Sequence, residues 1–144
     1  MNAPSPVFKS VELLTGERLT EAWSECSPLL QRALDTSPIP RSAEDCLVLI
    51  RNHRLDLLVG YLADRKVAAI LLVGYFQEKS GTVAHIQAAA GPNISRALVE
   101  WGDVVAWLKA KGVYRVQLFC QPAQERLWRM LGFTTVYRVM SVPI

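Results

Sequence analysis

The sequence has few of the residues that build disulfide frameworks, metal sites or strongly charged surfaces. Its 144 residues include three cysteines and two histidines, and the formal net charge is only +3. The odd number and irregular spacing of Cys26, Cys46 and Cys120 favour neither disulfides nor a zinc site, so we predict no bound metal and a reducing compartment. So small a net charge gives no reason to predict a nucleic-acid partner.

Long apolar runs are also missing. No stretch approaches the roughly eighteen residues of a membrane-spanning helix, and the N-terminal residues lack the basic start and apolar core of a signal peptide. We therefore predict a cytoplasmic protein with no membrane partner. Apolar residues still make up 51% of the chain, which suffices for one compact core, so residues 1 to 144 are predicted to form a single domain.

The N-terminal third of the chain carries helical patterns. Residues 16 to 34 place apolar side chains at helical spacing, and Pro28 is expected to break or kink this helix into two pieces. A second, short helix is predicted to begin after Ser42, because Asp45 three residues later completes a pattern like a capping box. That helix is predicted to end near residues 52 and 53.

Strand patterns dominate the rest of the chain and alternate with two further helices. The predicted strands are residues 57 to 63, 67 to 76, 82 to 88, 113 to 120 and 134 to 142. Short turns separate the first three, which are predicted to form an antiparallel meander. A long amphipathic helix is predicted to follow Gly91, and a shorter helix to occupy residues 122 to 130. This order of elements indicates the α/β class in its mixed α+β form.

Two local patterns within residues 55 to 142 resemble the GNAT superfamily of acyl-CoA-dependent N-acetyltransferases. The family's Arg-Gly-x-Gly-Ile-Gly-x-x-Leu-Leu is similar to Ala90-Gly91-Pro92-Asn93-Ile94-Ser95-Arg96-Ala97-Leu98-Val99. The family's Asn-x-x-Ala-x-x-Leu-Tyr-x-x-x-Gly-Phe is similar to residues 121 to 133. The resemblance implies a mixed, mostly antiparallel central sheet flanked by helices, with an acyl-CoA site at a central strand-loop-helix unit.

The resemblance also implies a cofactor, acetyl-CoA or another acyl-CoA, whose pyrophosphate is held by backbone N–H groups where the helix begins. It places the cofactor contacts at Gln87, Ala88, Gly91, Asn93, Ile94, Ser95, Arg96, Gln121 and Trp128. Arg96 supports a bound anion, because a cation in the first turn of a helix opposes the helix dipole unless an anion lies nearby. The alternative is an ordinary strand-to-helix turn followed by a solvated arginine.

Several positions depart from the family patterns. Ala90, Asn93 and Ser95 replace the family's Gln or Arg, its first motif glycine, and its Gly or Ala. Trp128 stands where many members place a tyrosine that protonates the departing coenzyme A thiolate. An indole N–H cannot supply that proton at neutral pH, so the alternative for Trp128 is a core anchor between helix and sheet.

An acceptor amine must lose a proton before it attacks a thioester, and His85 is the candidate base because it lies on the strand before the loop. A hydrogen-bonded structural histidine is the competing interpretation. Cys120 is predicted to be buried and inert.

Two functions stay open. One is a divergent acyltransferase acting on a small-molecule or protein amine that the sequence does not identify. The other is a catalytically inactive GNAT-fold binding or assembly module. For the module, Trp107 is a candidate surface for a partner; cover by another part of the chain is the default expectation for this side chain, and homodimerisation is left open.

Overall fold

One five-stranded sheet and four helices make up the part of the chain that the structure, a computed structural model, describes: residues 11 to 37, 41 to 62, 64 to 91 and 101 to 144. The elements in chain order are β1 (Val11–Leu13), α1 (Gly16–Asp35), α2 (Ala43–Arg51), β2 (Asp56–Tyr61), β3 (Val67–Glu78), β4 (Gly81–Ala90), α3 (Trp101–Ala110), β5 (Val113–Leu118) and α4 (Pro122–Met130).

The sheet is mixed and mostly antiparallel, as predicted. Its strands lie in the order β1-β2-β3-β4-β5, with antiparallel pairing from β1 to β4 and a parallel pair between β4 and β5. The parallel pair requires a crossover connection, which contains α3. The predicted meander of three strands corresponds to β2, β3 and β4.

Helix α1 is continuous through Pro28, so the predicted break is wrong. A proline inside a helix costs about 3 kcal/mol or more, because it removes one backbone hydrogen bond and crowds the preceding turn. Leu19, Cys26, Leu30 and Leu34 are buried along one face of this helix. Burial of an aliphatic side chain contributes about 1.5–3 kcal/mol, so the face as a whole outweighs the proline.

Helix α2 begins as predicted. Ser42 is its N-cap, and the Ser42 hydroxyl accepts a hydrogen bond of 3.0 Å from the backbone N–H of Asp45. The helix ends at Arg51, close to the predicted end. Gln31 fixes α2 against α1, because its side-chain oxygen accepts a hydrogen bond of 2.7 Å from the backbone N–H of Ala43.

Two apolar cores cover the two faces of the sheet. Helices α1 and α2 pack on one face against β2 and β3, where Leu57, Val59 and Leu72 are fully buried. Helices α3 and α4 cover the other face, where Val104 and Leu108 lie on the apolar stripe predicted for the long helix. The first part of that predicted helix, residues 92 to 100, lies outside the described residues.

Trp107 is covered within the chain. It packs against the core on the α3 and α4 face, and the Lys111 ammonium lies 4.7 Å from the centre of an aromatic ring of Trp107. The side chain is therefore only partly exposed, and the open tryptophan surface considered for a partner is not present at this position.

The predicted final strand is wrong for the chain as described. Residues 134 to 144 form no strand and are all exposed. The composition of this segment, with threonine, valine and tyrosine, has strand propensity. A strand also needs a neighbour for its backbone groups, however, and within the described residues no backbone hydrogen bond joins this segment to the sheet.

Candidate active site

Strands β4 and β5 stop pairing before β4 ends. Their last paired residues are Ile86 and Leu118, whereas β4 continues along β3 to Ala90. We call the place beyond this pair the β4–β5 opening; it lies between residues 87 to 90 and 119 to 121. Within the described residues, the edge of β4 that faces the opening has backbone N–H and C=O groups without a strand partner, and an extended ligand could pair with them.

A β-bulge lies at the start of the opening. Leu72 pairs with Ala88 and Val73 pairs with Ile86, which leaves Gln87 as the extra residue. A Cβ atom on Gly74 would lie 2.5 Å from the side-chain nitrogen of Gln87, so the glycine leaves room for this side chain. The Gln87 side-chain oxygen is buried and has no hydrogen-bond partner within the described residues. The Gln87 side chain therefore packs over Gly74 of β3, inside the protein.

His85 lies two residues before the bulge, opposite Gln117 of β5. Its ring Nδ1 is 3.1 Å from the amide nitrogen of Gln117. The amide oxygen of Gln117 accepts a hydrogen bond of 3.0 Å from Arg115, whose guanidinium also donates to Glu78 at 2.8 Å. Because an arginine can only donate, the oxygen of Gln117 must face Arg115 and the amide N–H must face His85. These residues form a connected row, here called the His85 row.

The His85 row fixes the proton on the imidazole. Nδ1 accepts from the Gln117 amide, so Nε2 carries the proton in the neutral ring. Burial lowers the pKa of His85, and the positive charge of Arg41 lowers it further. Phe119 packs edge-on against the ring, with 4.9 Å between ring centroids. The imidazole is therefore neutral at pH 7 and presents an N–H donor at Nε2.

This tautomer bears directly on the predicted role of His85. A base must accept a proton on Nε2, and Nε2 is free to accept only if the ring proton moves to Nδ1. That proton would then face the Gln117 N–H, unless the amide rotates and gives up its bond to Arg115. The base role stays a prediction, and the arrangement favours hydrogen-bond donation in the resting state.

Gly91 directly follows β4, at a point where the chain passes close to β3. Its φ is 150°, and a Cβ atom there would lie 2.3 Å from the carbonyl oxygen of Ala68 and 2.5 Å from the Cα atom of Ala69. Close backbone packing therefore requires this glycine, whatever its part in ligand binding. The predicted contacts Asn93, Ile94, Ser95 and Arg96 lie outside the described residues. Ala88 is 6% exposed and belongs to the apolar core on the α1 and α2 face, so its side chain is not available for a ligand.

The two cofactor contacts predicted downstream have partners within the chain. The side-chain amide of Gln121 donates to the carbonyl oxygen of Thr36 at 3.2 Å, which joins the end of β5 to the end of α1. Trp128 is 4% exposed and packs against Trp101 and Phe133, with ring centroids 6.3 and 5.4 Å away. Its indole thus occupies the core position given above as the alternative.

The cysteines differ from their prediction at one position. Cys26 and Cys46 are buried free thiols, whereas Cys120 is exposed, so the burial predicted for Cys120 is wrong. Partial desolvation raises the pKa of the Cys120 thiol, and the charge of Glu125 raises it further, which disfavours a nucleophilic thiolate. No cluster of three or more His, Cys, Asp and Glu that could hold a metal occurs among the described residues, and no helix there is long and apolar enough to span a membrane.

Sequence reasoning placed His85 on the correct strand but missed the residues that orient it. No pattern in the sequence connects Glu78, Arg115 or Gln117 with His85. The parallel register, which sets His85 opposite Gln117, was the only available signal for this row. That register is a property of the sheet and not of either strand alone.

Comparison with known proteins identifies the fold. No protein-family model matches the sequence, and no curated protein matches it significantly. A tetramutant protein from Bacillus halodurans superposes with a TM-score of 0.72 at 12% identity, over 93% of this chain and 99% of that one. Glucosamine-6-phosphate N-acetyltransferase from Arabidopsis thaliana gives 0.66 at 16% identity, over 94% and 99%. A GNAT family acetyltransferase from Staphylococcus aureus gives 0.64 at 14% identity, over 94% and 99%. The chain has the GNAT fold, as predicted.

Proposed function

Because the chain has the GNAT fold, we propose that it is a divergent acyltransferase that binds acetyl-CoA or another acyl-CoA and transfers the acyl group to an amine. The observation that carries the proposal is the β4–β5 opening, where a bulge at Gln87 and the oriented ring of His85 lie beside a strand edge that has no strand partner among the described residues. Several proteins of this fold carry the name of acetyltransferase, and one is named for glucosamine 6-phosphate. We leave the acceptor of this chain as an unidentified small-molecule or protein amine.

Acyl-CoA binding would use two parts of the chain. The backbone at Gly91 and the residues Asn93, Ile94, Ser95 and Arg96 would hold the pyrophosphate at the beginning of the long helix, where N–H groups and the helix dipole favour an anion. The amide-containing arm of coenzyme A would lie along residues 87 to 90 of β4, whose unpaired N–H and C=O groups suit an extended chain of amides.

The reaction would join the amine nitrogen to the thioester carbonyl carbon and break the bond from that carbon to sulfur. The amine gives up a proton, and coenzyme A leaves as a thiolate. A thiol pKa near 8.5 makes the thiolate a tolerable leaving group without a dedicated acid, which accommodates the burial of Trp128. In its resting tautomer, Nε2 of His85 carries a proton and can only donate a hydrogen bond. The proton that the amine loses would then pass to water. The alternative is that His85 takes this proton after its tautomer has changed.

A second function is favoured by one observation. Trp128 replaces the tyrosine that the resemblance assigns as general acid, and its side chain is enclosed by aromatic neighbours. A GNAT-fold module without catalysis would tolerate this change and the departures in the loop. Such a module would have no need for acyl-CoA, so cofactor binding separates the two proposals.

Calorimetric titration with acetyl-CoA and with free coenzyme A, alongside thermal denaturation, tests the proposal. We expect saturable binding, and ligand at 100 times Kd should stabilise the fold by about 2.7 kcal/mol. Arg96→Ala should weaken binding, because it removes a cation from the proposed anion site. Lys79→Ala is the matched control. It also removes one positive charge, but Lys79 lies in the turn between β3 and β4, at the end of β4 far from the proposed anion site. If millimolar ligand produces no heat of binding and no thermal shift, the transferase proposal is contradicted and the module is favoured.

A further inference from the structure

Arg41 lies just before helix α2 and is partly buried, but it has no acidic partner among the described residues. Its Nε atom is buried without a hydrogen-bond partner, and within those residues the guanidinium makes no ion pair and no hydrogen bond. Arginine side chains that lose part of their hydration are normally paired, because each N–H group then needs an acceptor. The two terminal nitrogens are not closed off from solvent as Nε is, so a ligand can reach them.

The backbone of Arg41 is fixed to α1 by Gln31. The Gln31 side chain donates to the carbonyl oxygen of Arg41 at 3.3 Å and accepts from the backbone N–H of Ala43 at 2.7 Å. Thr36 follows Gln31 by five residues, which is roughly 8 Å along a helix axis. The carbonyl oxygen of Thr36 accepts from Gln121, which borders the β4–β5 opening. Arg41 therefore lies near the end of α1 that reaches the opening.

His85 faces the same side of the sheet as Arg41. Its neighbours Ala84 and Ile86 belong to the core on the α3 and α4 face. Side chains alternate along a strand, so the imidazole points toward α1 and α2, and α1 packs on β4 there. The pKa of His85 is lowered mainly by burial and further by the charge of Arg41. The guanidinium and the imidazole are thus close enough to interact beside the opening.

On the basis of the proposed acyltransferase function, we propose that Arg41 binds the acceptor, and that this acceptor is an amine that also carries a carboxylate or a phosphate. The planar guanidinium presents a fork of N–H donors that matches either anion. An anion bound to Arg41 directs the amine of a short acceptor toward His85 and the opening, where the thioester would lie. The charge of Arg41 also disfavours the protonated form of a nearby amine, and only the neutral amine can attack.

Three primary amines on the same short chain test the acceptor class. β-Alanine carries a carboxylate, O-phosphoethanolamine carries a phosphate, and ethanolamine carries a neutral hydroxyl. With acetyl-CoA, we expect kcat/KM for an anionic amine to exceed that for ethanolamine by about tenfold or more, since hydrogen bonds between charged groups are strong. The anion that gives the larger value distinguishes a carboxylate acceptor from a phosphate acceptor.

Arg41→Gln removes the charge and keeps a polar side chain. We expect it to lower kcat/KM for the preferred anionic amine by about tenfold or more, chiefly through KM, and to change the value for ethanolamine far less. The affinity for acetyl-CoA should not change. Arg51→Gln is the matched control, because Arg51 is an exposed arginine at the other end of α2, and this variant should keep the preference.

Nuclear magnetic resonance of the ¹⁵N-labelled chain tests the same site without turnover. β-Alanine or O-phosphoethanolamine should shift the Nε–H resonance of Arg41 and the ring resonances of His85, whereas ethanolamine should not. The proposal is overturned if neither anionic amine shifts these resonances, or if Arg41→Gln slows all three amines equally. Acyl transfer without a preference for an anionic amine would contradict the anion site and leave the transferase standing. Anion binding at Arg41 without transfer to any amine would contradict the transferase, and with it the role of the anion in an acceptor.

Discussion

Replacing Gln117 by glutamate should reverse the hydrogen bond at Nδ1 of His85. In the native chain the Gln117 amide donates to Nδ1, so the ring proton lies on Nε2. A neutral hydrogen bond contributes about 1 kcal/mol, which favours this tautomer by about fivefold. A glutamate at position 117 can only accept, so it requires a proton on Nδ1. A bond to a charged group contributes about 1.5–3 kcal/mol, which favours the reversed tautomer by about ten- to hundredfold.

Arg115 moderates this effect without cancelling it. Its guanidinium already donates to position 117 and to Glu78, so it would share the new carboxylate with His85. The added negative charge should also raise the pKa of His85, against the effects of burial and Arg41 that lower it in the native chain. The variant ring should thus carry its proton on Nδ1 and protonate more readily.

Long-range ¹H–¹⁵N correlation spectra of the imidazole measure which nitrogen carries the proton. His53 is exposed and provides a reference ring in the same spectrum. Gln117→Leu is the control, because it removes the amide and should return His85 to an unrestrained mixture of tautomers. The reasoning fails if native His85 carries its proton on Nδ1, or if Gln117→Glu leaves the proton on Nε2.

Four further predictions concern stability and activity. Gly91→Ala should destabilise the fold by about 1–3 kcal/mol or more in chemical denaturation, because its Cβ atom would meet the Ala68 carbonyl oxygen at 2.3 Å. Trp128→Ala should cost about 3–5 kcal/mol, since the indole fills the core; a loss below 1 kcal/mol would show that the side chain is not packed as described. The pKa of His85 is lower in the folded chain than its ordinary value near 6.5, so the unfolded chain binds more protons as the pH falls through that value. Stability should therefore decline below about pH 6.5, less steeply in His85→Gln. The same variant should retain acyl transfer if His85 donates through Nε2, and should be as inactive as His85→Ala if His85 is the base.

The elements that sequence reasoning predicted well are those whose signals are local. The cap at Ser42 is formed within three residues, and the strands of the meander carry continuous apolar patterns over short turns. The helix break predicted at Pro28 is wrong because the energetic cost of the proline is local. The burial that offsets this cost comes from side chains along the whole of α1. The strand predicted for residues 134 to 142 is wrong for a related reason. The strand propensity is a property of the segment itself, whereas a strand also needs a neighbouring strand, which the segment does not supply.

The candidate site was predictable only in part, for the same physical reason. His85 and Gln87 lie on β4 beside the loop that resembles the family pattern, so their strand could be identified. The residues that orient His85 lie some thirty positions later on β5, and they meet it through a parallel register set by the crossover around α3. No periodicity within β5 distinguishes Gln117 from a solvated glutamine.

The His85 row also bears on the choice between enzyme and module. The bond between Arg115 and Glu78 joins two side chains that are each about a third exposed, and pairs of this kind contribute little to stability. The main physical effect of the His85 row is therefore on the imidazole, because the row keeps the ring proton on Nε2. A binding module gains little from such control, whereas an acyl transfer reaction depends on where a proton lies. The activities of His85→Gln and His85→Ala, compared once acyl-CoA binding has been measured, decide whether that control is used.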